Sequence, residues 1–388
     1  MCLPSLNLHW LQTMKTTGSE ILLHTGSEKK MFPQRNVSPV LPWMLRLSLS
    51  FITCFYSSTV RLNGTVNRSL VSTFEYFLKR LENPIPVHGV KTLDKLIDSK
   101  RELWFRLFIP TDFPSNDGNN KLPVIIFFHG GAFTFMSPDL IIYDAVCRRI
   151  ARKVPAIVVS VNYRLTPEYR FPSQNDDGFD TLKFLDKNDF YGLSSNADLS
   201  RCFLVGDSAG GNIAHHVAVR WASKANEFRK VKVIGLVAIQ PFFGGEERTE
   251  SEIRLQGAPL APSVEHSDRH WRMFVPEGSN RDHEAVNVFG PNSKTDISKL
   301  KAFPATLVFI GGLDPLQDWQ RRYYEGLKSF GKEAYLVEYH NVIHAFYLIP
   351  DFQESFLLIN EVKRFIWNQI NSNNMFQIYV EEKQKNYY

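Results

Sequence analysis

At 388 residues, with 44% hydrophobic and 22% charged residues, the chain has the apolar content of a folded globular protein and length for one large α/β domain with a cap or two medium domains. Its 45 Lys and Arg against 40 Asp and Glu leave a formal charge of +5, scattered rather than gathered into a stripe, which argues against nucleic acid as a partner. Four cysteines (Cys2, Cys54, Cys147 and Cys202) lie far apart without a C-x-x-C pair, so neither a zinc site nor a disulfide framework is expected, and a reducing compartment, cytoplasmic or nuclear, fits.

Residues 1–38 read as an N-terminal extension of undefined structure that lacks the apolar core of a signal peptide, with Met14 and Met31 as alternative starts. Residues 39–84 follow as an N-terminal lid segment. The apolar stretch 41–60 is interrupted by Arg46 and by several Ser and Thr, so a lid helix suits it better than a membrane span. Three Asn-x-Ser/Thr triplets, at Asn36, Asn63 and Asn67, carry no weight without a secretion signal.

From about residue 85 to 371 short β-rich runs alternate with amphipathic helices, the pattern of a mostly parallel sheet with helices on both faces. A leading hairpin is expected at 91–98 and 103–109, followed by strands at 122–128, 156–161, 202–205, 233–239, 305–310 and 334–339, about eight in all. The near-continuous apolar runs among them suit strands buried on both faces. Helices are expected at 210–222 and 318–329. The long interval 242–304, with Trp271, Phe274 and Phe289, breaks the alternation and reads as a cap insertion. Its aromatic residues fit either core or an apolar substrate pocket. Residues 372–388 form a polar tail.

Gly206-Asp207-Ser208-Ala209-Gly210 is a G-x-S-x-G pattern between an apolar strand and a helix, the context of a nucleophile elbow, whose strained turn tolerates only small neighbours and so has a glycine on each side. A serine hydroxyl is a weak nucleophile and needs a base, with a third group to hold that base. In this fold the order is serine, acid, histidine. Asp314 stands just past the strand 305–310, with Asp318 as a rival better suited to the following helix. His344 stands past the strand 334–339, far enough along its loop to reach back to Ser208, with His340 as its rival. His215, His216, His266, His270 and His283 read as structural. Phe128-His129-Gly130-Gly131-Ala132 follows the strand 122–128 as an oxyanion loop does, so the amides of Gly130, Gly131 and Ala209 are expected to converge on a tetrahedral oxygen, with His129 orienting the loop.

Together with Asn162-Tyr163-Arg164-Leu165-Thr166-Pro167-Glu168 and Asp314-Pro315-Leu316, these motifs resemble the plant carboxylesterases of the hormone-sensitive-lipase group, over roughly residues 41–370. Asn63-Gly64-Thr65-Val66-Asn67-Arg68 resembles the start of that family's lid. The resemblance implies an α/β-hydrolase fold and hydrolysis of small carboxylic esters by Ser208, Asp314 and His344, with no cofactor and no metal. The same family includes gibberellin receptors, which carry an aliphatic residue where the triad histidine stands, and dehydratases acting on hydroxyisoflavanones. His344 favours the esterase over a small-molecule receptor that would engage a protein partner.

Overall fold

The structure is a computed structural model and describes residues 42–61, 63–112, 121–187, 193, 196–257, 263–350, 352–371, 376 and 379–380. The extension 1–38 and most of the tail lie outside these. In chain order the elements are α1 (Trp43–Thr59), α2 (Arg68–Tyr76), β1 (Val90–Asp98), β2 (Leu103–Pro110), β3 (Leu122–Phe128), α3 (Ile141–Lys153), β4 (Ile157–Asn162) and α4 (Ser173–Lys187). Then come β5 (Ala197–Asp207), α5 (Ala209–Ser223), β6 (Val233–Ile239), α6 (Glu250–Arg254), α7 (Val264–Phe274), β7 (Ala305–Gly311), α8 (Gln317–Ser329), β8 (Ala334–Tyr339) and α9 (Gln353–Asn371).

The eight strands form one sheet in the order β1-β2-β4-β3-β5-β6-β7-β8, antiparallel in its first two pairings and parallel from β4 to β8. Strand alternation feeds two cores. In β3, Val124, Ile126 and Phe128 pack with Leu204 and Ile213 on one face, while Ile125 and Phe127 pack with Val158, Phe203 and Phe365 on the other. All five of those β3 residues are fully buried, as expected of a central parallel strand covered by helices on both sides.

β5 begins at Ala197, five positions before the apolar run that predicted it. Its first residues are polar, yet Ala197 and Asp198 pair with Leu122 and Pro123, and Asp198 holds Ser200 and Arg201 through its carboxylate. An apolar-run criterion cannot see such a start. Asp318 lies in the first turn of α8, the helix it was expected to cap or line. From there it accepts a hydrogen bond at 2.8 Å from the Ser251 amide at the start of α6, tying the insertion to the sheet's helical layer.

α1 runs through the stretch expected to be a lid helix, and among the described residues no helix is long and apolar enough to cross a membrane. α2 is capped by Asn67, whose side chain accepts from the Leu70 amide. Arg68, the next residue, donates through Nη1 to the Thr134 carbonyl at 2.6 Å and through Nη2 to the Thr166 carbonyl, and forms a two-pronged pair with Glu168. Glu75 of α2 accepts from the Tyr56 hydroxyl and from the Met136 amide. The N-terminal segment is thereby stitched to the loop that follows β3.

Candidate active site

Parallel strands deliver their C-terminal ends to one edge of the sheet, and the chain order reverses direction between β3 and β5, the place where α/β sheets open a crevice. Register sharpens this. Gly206 lies opposite Phe128, so the oxyanion loop and the serine turn leave neighbouring strand ends, and Gly311 of β7 lies opposite Tyr339 of β8, so the acid and histidine loops do the same.

Ser208 has φ 51° and ψ −118°, a strained backbone at the end of β5 that turns at once into α5. The turn is packed too closely for a side chain at either flanking glycine. A Cβ on Gly210 would lie 1.9 Å from the Phe128 carbonyl oxygen, and one on Gly206 would lie 2.2 Å from the Gly210 oxygen. Because the obstacle at Gly210 is backbone, Gly210→Ala is expected to cost about 3 kcal/mol or more, read as a fall in the midpoint of denaturant unfolding.

The structure brings Ser208, His344 and Asp314 into one hydrogen-bonded chain. His344 Nδ1 lies 2.7 Å from Asp314 Oδ2, and its Nε2 lies 3.0 Å from Ser208 Oγ. A carboxylate can only accept, so Nδ1 carries the proton and Nε2 turns its lone pair to the serine hydroxyl. Burial alone would depress the histidine's pKa. The Asp314 charge and hydrogen bond, with help from the Asp207 charge, outweigh it and raise His344 above the ordinary histidine value. His340 is exposed, four residues before the histidine that makes the contact. Val342 and Ile343, both buried, anchor the loop between them.

Asp314 is fully buried and well satisfied without His344. It accepts from the Leu316 amide at 3.0 Å, from Gln320 Nε2 at 2.8 Å and from Gln240 Nε2 at 3.1 Å. Gln240 also donates to the Ile343 carbonyl and accepts from the Ala345 amide at 2.8 Å, so one side chain binds the acid to both flanks of His344. Its position follows from topology, since β6 lies between β5 and β7 and Gln240 is the residue at its end. Neither glutamine was legible as a site residue in the sequence.

The expected oxyanion donors need one correction. Gly130 donates its amide to the Tyr143 hydroxyl at 2.8 Å, and that hydroxyl donates to Asp207 Oδ2 at 3.0 Å, so the Gly130 N–H is already spent. The cause is the buried Asp207 carboxylate, which captures the tyrosine proton and turns the tyrosine oxygen into an acceptor. Burial pushes Asp207 up to about 6, against the lowering by Tyr143. The amides of Gly131, Ala132 and Ala209 have no acceptor among the described residues, and Ala209 is the first residue of α5, whose N-terminus adds its partial positive charge. Gly131, Ala132 and Phe133 all have positive φ, so the chain leaves the extended geometry of β3 over these three residues.

His129 donates from Nδ1 to the Gly130 carbonyl at 2.8 Å and stacks on Tyr163 with ring centres 4.3 Å apart, and burial brings its pKa down to about 4. The loop is also held from the insertion. Phe274 stacks on Phe133 at 3.7 Å, and His270 Nδ1 pairs with Thr134 Oγ1 at 2.8 Å. Trp271 and Phe274 are thus core residues, and Phe289 stacks on Tyr323 and Phe330. His215 pairs with Tyr323 and His216 with the Ala285 carbonyl. Among the described residues no group of three His, Cys, Asp or Glu side chains could hold a metal.

Fold and site geometry together define an α/β-hydrolase scaffold, and residues 125–348 match the alpha/beta hydrolase fold family. The chain belongs to that family, within the group that holds the gibberellin receptors and plant carboxylesterases. Gibberellin receptor GID1C of Arabidopsis thaliana is 39% identical over 88% of this chain and 98% of its own length. Carboxylesterase 20 of the same plant is 36% identical over 65% of this chain and 78% of its own length. A solved hyperthermophilic esterase from the archaeon Pyrobaculum calidifontis superposes with a TM-score of 0.65 at 25% identity, covering 88% of this chain and 99% of that one.

Proposed function

We propose that the protein is a carboxylesterase that cleaves small carboxylic esters through an acyl-enzyme intermediate. The observation that carries this is the Asp314–His344–Ser208 chain at 2.7 and 3.0 Å. Ser208 Oγ attacks the ester carbonyl while His344 Nε2 takes its proton. The tetrahedral oxyanion is received by the amides of Gly131, Ala132 and Ala209. His344 then protonates the departing alcohol, and water repeats the sequence in reverse to release the acid. Residues 39–84 and 242–304 act as the cap over this centre, with both held against the oxyanion loop. No cofactor enters the scheme.

Identity to gibberellin receptors over 88% of the chain supports a second reading, a receptor-like protein that holds a small ligand without turning it over. One assay separates the two. Purified protein is expected to release p-nitrophenol from p-nitrophenyl acetate or butyrate, and Ser208→Ala to remove that release. Turnover no greater than in the Ser208→Ala variant, with saturable gibberellin binding by both, would sink the esterase reading.

A further inference from the structure

A groove of about 920 Å³ opens between residues 79–88, the outer side of α3 and the segment just after the His344 loop. It shares no residue with the Ser208 chain. Five Lys or Arg side chains line it, against a single carboxylate, Asp144. That carboxylate is already committed to Arg148 at 2.6 Å and to Arg106, and Lys79 pairs with Asp139 outside the groove at 3.2 Å. Among the described residues no carboxylate pairs with the other three cations, Arg80, Arg149 and Arg152.

Arg149 and Arg152 stand three residues apart on α3 and so share a face, where like charges repel. Arg149 is half-buried. Its Nη2 donates to the Tyr347 carbonyl at 2.6 Å, and burial lowers its pKa with no carboxylate to oppose the loss. A partly desolvated guanidinium without a counter-charge is a standing cost that an incoming anion would relieve. Beside these cations the groove has an apolar wall. Leu81 is 85% exposed and Ile141 40% exposed at its rim. The volume is that of a small-molecule site rather than of a flat docking face.

We propose that this groove binds a small organic anion with an apolar body, its charged end held by Arg149 and Arg152 and its body lying along Leu81 and Ile141. The reading is independent of the esterase assignment. Through the Arg149 contact to the Tyr347 carbonyl, an occupied groove bears on the segment three residues beyond His344.

Isothermal titration of the full-length protein with octanoate tests it, with octylammonium and inorganic phosphate as probes of opposite charge and of charge without apolar body. Octanoate is expected to bind more tightly than either, and raising salt to weaken it. Arg149→Gln/Arg152→Gln is expected to weaken octanoate binding at least tenfold. Because Arg149 also holds the Tyr347 carbonyl, a second pair, Arg80→Gln/Arg152→Gln, alters only exposed side chains and is expected to weaken binding severalfold with an unchanged melting temperature. Unchanged octanoate affinity in both pairs would overturn the proposal, since any binding would then belong elsewhere. So would octylammonium or phosphate binding as tightly as octanoate.

Discussion

His344→Val is expected to lower kcat for p-nitrophenyl butyrate by about 10⁴- to 10⁶-fold while leaving KM within a fewfold of the parent value, because the base is lost and the substrate contacts are not. The fold should tolerate the substitution. Asp314, the carboxylate that would be stranded in many sites, keeps its bonds from Leu316, Gln240 and Gln320 when the imidazole is gone. Steady-state kinetics and a thermal melt read the two halves separately: a large kcat loss with a melt shifted by no more than a few degrees. A variant retaining more than about a tenth of the parental kcat would mean that His344 is not the base.

Asp314→Asn is expected to cost about 10⁴-fold in kcat, since an amide can donate to the ring and favour the tautomer that presents a proton to Ser208. The pH profile gives a second, independent reading. His344 must be neutral to act as base, so kcat/KM rises through its folded-state pKa, which Asp314 holds above the ordinary value. Removing that charge lowers the pKa, and the acid limb of the residual activity moves to lower pH. Asp207→Asn moves the same limb in the same direction without removing a member of the chain, because the Asp207 charge also raises His344. An acid limb that stays in place in both variants would show that it reports another group.

What the sequence disclosed and what it hid divide along a physical line. Ser208 could be read because its G-x-S-x-G pattern is local, although only the glycine at 206 is demanded by atoms a few residues away, the one at 210 facing the backbone of Phe128 on the neighbouring strand. Asp314 and His344 could be nominated because each follows an apolar strand, and the run of buried residues in β7 and β8 is itself legible. Gln240 and Gln320 were invisible, and for Arg68 and His270 the partners were. Each matters through a partner 66 to 136 positions distant or through strand order, and a single sequence gives no signal of either, except at Gln320, whose partner is only six residues away on the following helix. The reading of Gly130 failed for a related reason. A glycine beside an oxyanion loop promises close backbone approach, but which amide stays free is decided by Tyr143, thirteen residues on, and by the carboxylate of Asp207.

The loop after β3 takes its shape from Arg68 on one side of it in the sequence and His270 on the other, a span of two hundred residues. Contacts so far apart in the chain are slow to form. The sheet can assemble around β3, β4 and β5 from nearer neighbours, while the amides that receive charge acquire their orientation only after the N-terminal segment and the insertion have both docked. In folding, this region is then among the last to order. The amides of Gly131 and Ala132 have no acceptor among the described residues, so hydrogen exchange at these two is expected to run ahead of exchange in β3 itself.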